Sequence, residues 1–91
     1  MTHPRDIIDP IVHEHLGRWP IACQVWVPEV DPHKVDVILV WVDPDKSAKP
    51  RAGIEEIFNL RGLTEDQTRS YLDCGAHALC LRAMRVWHLF G

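Results

Sequence analysis

The chain has 91 residues, 46% of them hydrophobic and 25% charged, and its ten basic and thirteen acidic side chains give a net charge of −3. That length supports one domain around one modest core, and the hydrophobic share excludes a disordered chain. A small negative charge with scattered basic residues sets up no field that favours a polyanion, so nucleic acid is a poor first expectation.

The N-terminal MTHPRDIIDP lacks the apolar run of a secretory signal, and the longest apolar run, Val37 to Val42, is far too short to span a bilayer. No membrane partner is expected. A cytoplasmic location is, with Cys23, Cys74 and Cys80 as free thiols.

Ile7, Ile8, Ile11, Val12 and Leu16 recur at helical spacing. They place the first element over Asp6 to Leu16; Asp9 ahead of Pro10 reads as an N-cap followed by proline at the first helical position, and the shorter alternative is a helix that begins at Pro10, after an extended arm. Gly17 reads as a left-handed stop.

From Ile21 onward, Ile21, Cys23, Val25 and Val27 alternate with Ala22, Gln24 and Trp26, which predicts a half-buried strand over about 21–30. PEVDPHK supplies a turn with Asp31 and Pro32 in its first two positions, and a second strand follows over about 34–43. A tight turn between Asp31 and Lys34 would set Glu29 opposite Asp36. Like charges there are unfavourable, so the register is expected to slip or to carry a bulge.

The second strand has Val35, Val37, Leu39 and Trp41 on one face and Ile38, Val40 and Val42 on the other, so beyond Asp36 neither face is polar. Strands of this kind are covered on both faces. One small subunit has little chain to spare for a second cover, which predicts a homo-oligomer or a tight protein partner.

Residues 43–53 form a polar loop. Asp43, Asp45 and Ser47 have the opening pattern of a calcium loop, but Ala48, Pro50 and Ile54 occupy positions six, eight and twelve, so a turn in which Asp43 and Ser47 bond nearby backbone is expected instead. Lys46, Lys49 and Arg51 make 46–51 a small basic loop, with Arg61 or Arg69 as possible spatial neighbours. It is one alternative function, nucleic-acid binding, and Asp43, Asp45, Glu55 and Glu56 counter its field.

Ile54, Ile57, Phe58 and Leu60 then predict a short helix over about 51–61 that closes at Gly62. Thr64 and Gln67 form a capping box for a longer C-terminal helix, about 65–89, packed on the sheet. Gly75 is a candidate break, and a strand from His77 onward is the alternative reading. Leu72, Ala76, Leu79, Ala83, Val86 and Phe90 form the stripe expected to face the core. His77, Leu81, Met84 and His88 form a second seam, apolar in its middle, expected to meet a partner.

Cys74, His77 and Cys80 offer zinc's donor types at intervals of three. At ~1.5 Å rise per residue the two thiols lie about 9 Å apart along a helix, so one ion reaches two of the three. His13 and His15 are remote donors that chelate together only from extended backbone. Zinc binding through Cys74, His77 and Cys80 is therefore kept as an alternative, and no cofactor is expected.

No G-x-S-x-G, H-E-x-x-H or glycine-rich phosphate loop is present, and Cys23 alternates onto an apolar face where a thiol resists ionisation. The sequence thus predicts a single α+β domain over 1–91. Its expected role is a non-enzymatic protein interaction module, an accessory, regulatory or inhibitor protein of a size shared with phage-encoded inhibitors. The expected anchors are Trp26, Ile38, Val40 and Trp41 on the hairpin. On the last helix they are His77, Leu81, Met84, Trp87 and His88.

Overall fold

The computed structural model describes residues 3–42 and 53–89. The elements run α1 (Pro4–Leu16), β1 (Ile21–Trp26), β2 (Lys34–Trp41), β3 (Ile54–Asn59) and α2 (Glu65–Val86). The class is α+β, as expected, but the segment read as a short helix over 51–61 is a strand. The hairpin belongs to a three-stranded antiparallel sheet in the order β1-β2-β3. Six residues of IEEIFN fit either a helical or an alternating period. What decides is β2, whose second edge would otherwise leave a row of backbone donors and acceptors without partners. Pairing Val35 with Phe58 and Leu39 with Ile54 supplies them.

The connection from β1 to β2 is longer than a tight hairpin. β1 stops at Trp26, and two successive turns follow: Asp31 N–H donates to Pro28 O at 3.2 Å and Lys34 N–H to Asp31 O at 3.1 Å. The second is the expected Asp31–Pro32 turn. Its extra residues slide the register, so that Trp26 and not Glu29 stands opposite Asp36. The like-charge conflict foreseen in the sequence is removed by sliding the register and not by a bulge.

Helix α1 begins at Pro4, ahead of both Asp6 and Pro10. His3 caps it, its Nδ1 accepting from Arg5 N–H at 3.1 Å. Pro10 sits inside the helix, where proline costs about 3 kcal/mol. The turn ahead of it is retained because it buries Ile8, which is wholly inaccessible. Gly17 is right-handed at φ −64, so it ends the helix without a left-handed turn. The glycine that needs positive φ is Gly62, at +81, in the turn where Leu63 N–H donates to Leu60 O.

Helix α2 starts with the capping box of Thr64 and Gln67 and runs unbroken through Gly75 and His77. It closes in a Schellman arrangement: Leu89 N–H donates to Met84 O at 2.8 Å and His88 N–H to Arg85 O at 3.3 Å. His88 takes the left-handed position, φ 54. Leu72, Ala76, Leu79 and Ala83 face the core as expected, but Val86 is exposed. The helix ends there, and the cap turns Trp87 and Leu89 inward in its place. Phe90 lies outside the described residues.

Both helices lie on one face of the sheet. Ile8, Ile11 and Leu16 of α1 and Leu72, Leu79 and Ala83 of α2 meet Val25, Val37, Leu39 and Phe58 in one cluster. His15 and His77 join the helices through a 2.7 Å hydrogen bond between Nε2 and Nδ1. Among the described residues, no helix is long and apolar enough to cross a membrane.

Candidate functional site

With both helices on one side, strand register decides what the other side presents. Odd-numbered residues of β2 point to the helices, and Asp36, Ile38 and Val40 point away. Cross-strand pairing arranges this open face in rows: Trp26, Asp36 and Ile57 form one, Gln24, Ile38 and Glu55 the next, and Ala22 with Val40 a third. Trp26 is 59% and Ile57 48% exposed, while Ile38 and Val40 are half-buried.

Asp36 is the anomaly of this face. It occupies the middle strand, is only 9% exposed, and its Oδ1 is buried with no hydrogen-bond partner. The Glu55 carboxyl lies on the diagonal and is held above its usual range, chiefly by a side-chain hydrogen bond to Asp36 and then by that residue's charge. Lys34, farther along the same face, pulls the other way through space.

The sheet's two edges are not equally available. Arg82 from α2 donates to Glu55 O at 2.8 Å and pairs with the Glu56 carboxylate at 3.1 Å. Arg5 from α1 donates to Val25 O at 3.4 Å. Each outer strand thus has a backbone acceptor taken by an arginine, which blunts strand addition there.

The expected anchors divide. Trp26, Ile38 and Val40 meet on the open face. Trp41 points to the other side and packs edge-on against Trp87, ring centroids 5.9 Å apart. Trp87, 8% exposed, therefore serves its own core and is out of a partner's reach. Met84 packs against that core as well. His77 is engaged by His15, and His88 serves the helix cap. Leu81 projects outward, 54% exposed, on the far side of α2. Ile57 and Glu55 were invisible as site residues while their segment read as a helix. Asp36, the lone charge within the otherwise apolar run Val35 to Trp41, was the available signal.

The zinc-type residues diverge: Cys74 is exposed, His77 is bonded to His15, and Cys80 is buried. Among the described residues, no three His, Cys, Asp or Glu side chains form a group that could hold a metal ion. The basic loop of Lys46, Lys49 and Arg51 and the Asp43–Ser47 turn lie outside the described residues.

Burial pushes the Cys23 thiol up to about 12, with the Asp9 charge and hydrogen bond adding to it, and burial alone pushes Cys80 up to about 11. Iodoacetamide at pH 8 is therefore expected to label Cys74 at least tenfold faster than the other two, with all three reacting in denaturant. Equal native rates, read by mass spectrometry, would contradict the burial. Because the two folded thiols bind protons more tightly than unfolded ones, their contribution to stability is intact below the ordinary thiol range. It is lost as pH rises towards 11 and 12.

A groove of about 690 Å³ lies where α1 begins, between Ile7, Val27, Leu60, Leu63 and Leu72. It is largely apolar; of its polar lining, His3 caps α1, and His33, Glu65, Thr68 and Arg69 stand with it around the groove. Comparison with family models, curated proteins and solved structures finds no match to this chain.

Proposed function

We propose that the chain is a non-enzymatic docking module that binds another protein across the open face of its sheet. The observation that carries this reading is Asp36, buried with its Oδ1 unpartnered and flanked in its row by Trp26 and Ile57. A domain that folds only for itself gains from water or a hydrogen bond at such an atom. Trp26 and Ile57 on either side are a large ring and a branched chain left half in water, the residue types that anchor interfaces. The arginines at the edges favour docking on the face over strand addition at those positions.

The test is a pair of surface variants that leave the helix-facing core untouched, Trp26→Ala and Ile57→Ser, with Leu81→Ser as the control on the far side of α2. A protein from the source cell that binds wild type is expected to bind each face variant at least tenfold more weakly by calorimetry, and the control normally. Loss with Leu81→Ser and not with the face variants would move the interface to α2 and overturn the reading.

A further inference from the structure

We infer that the partner seats a basic side chain, lysine or arginine, against Asp36 and Glu55, flanked by apolar residues on Trp26, Ile38 and Ile57. The inference rests on the docking role of the open face and adds the chemistry of what docks there. Two carboxyls on one diagonal of the register, with the Asp36 charge acting on Glu55, make a site that an incoming positive charge stabilises. Asp36 Oδ1 has an unused acceptor on a side chain that is nine-tenths buried, so it is already desolvated before any partner arrives. That removes one cost of binding for the incoming donor.

Trp26 completes the site. Its ring stands beside Asp36 in the register and is 59% exposed, so it is free to change rotamer and close over a guanidinium or ammonium group. Lys34 does not fill the role: it lies beyond the Trp26–Asp36–Ile57 row, in the row of Asn59, and Asp36 Oδ1 is still without a hydrogen bond.

A second copy of the chain is the poorer occupant. A twofold face-to-face dimer presents the same patch from both subunits, which sets the carboxyl pair against its own image. Like charges so juxtaposed oppose association.

The experiment uses two capped peptides, GLRLG and GLELG, titrated into the full-length, isotope-labelled protein at low salt and followed by amide and carboxyl resonances. GLRLG is expected to shift Trp26, Ile38 and Ile57 and the carboxyls of Asp36 and Glu55, and to bind at least tenfold more tightly than GLELG. Asp36→Asn and Glu55→Gln are each expected to weaken GLRLG at least fivefold. Equal affinity of the two peptides for this face would overturn the cation and leave the docking face standing. Shifts confined to other surfaces would overturn both. A wild-type dimer in sedimentation that Trp26→Ala dissociates would identify a second copy as the occupant and likewise overturn the basic partner.

Discussion

Gly75→Ala is expected to destabilise the protein by about 1–3 kcal/mol, although alanine is the better helix former by about 1 kcal/mol. The sign turns on what lies beneath the helix. A Cβ at Gly75 would overlap the edge of the Phe58 ring and come within 2.8 Å of its Cζ. Phe58 has nowhere to move. It is 3% exposed and meets Tyr71 edge-on, ring centroids 5.3 Å apart. The methyl group must push α2 off β3 or force the ring from its rotamer, and either loses contacts along the whole seam. In thermal unfolding the loss corresponds to roughly 4–8 °C per kcal/mol for a domain of this size. Phe58→Leu is itself destabilising, yet in the Gly75→Ala background it should cost less than alone, giving a favourable coupling in a double-mutant cycle. A Gly75→Ala protein as stable as wild type would mean that strand and helix do not approach so closely.

Asp36→Val is expected to act in the opposite direction and raise stability by about 1–3 kcal/mol. Aspartate is among the poorest strand residues and valine among the best. The substitution also removes an acceptor that is buried without a partner and relieves the repulsion of two neighbouring carboxyls. Chemical denaturation should show a higher midpoint with an unchanged slope. A lower midpoint would show that Asp36 is satisfied within its own chain, and the argument for a docking partner would lose its foundation. A gain would instead mark Asp36 as a residue that stability alone would not choose. Acidification gives a related sign. The raised Glu55 group means that the folded state holds its proton more tightly than the unfolded state. The penalty at this pair is therefore present at neutral pH and lessens as pH falls through the carboxylate range.

How far the sequence revealed this arrangement varied with the range of the interaction involved. Local signals were legible: the Thr64–Gln67 capping box, the Asp31–Pro32 turn and the alternation of Ile21 to Val25 depend on residues a few positions apart, and the structure has all three. The apolar outer side of β2 was legible too, because Ile38 and Val40 stand in a pattern with only one strand geometry.

What failed depended on elements that had yet to meet. Ile54 to Asn59 carries two periodicities at once, and only the unpaired edge of β2 selects the strand. Glu56, on the helix-facing side of that strand, is paired by Arg82 from α2, an element distant in sequence. Gly75 looked like a break because its purpose, room for Phe58, lies in another element. The shorter reading of α1 failed because burial of Ile8 outweighs the local preference for starting at Pro10. The surroundings of Asp36 required the β3 correction, since Glu55 and Ile57 reach Asp36 only after β3 is recognised.

The order of the elements along the chain has a consequence for synthesis. Each strand pairs with its sequence neighbour, but α1 packs on α2, and His15 finds His77 across a separation of 62 residues. On the ribosome, the meander emerges before the helix that roofs half of it. Val37, Leu39 and Phe58 therefore lack the cover of Leu72 to Ala83 until that segment has left the exit tunnel.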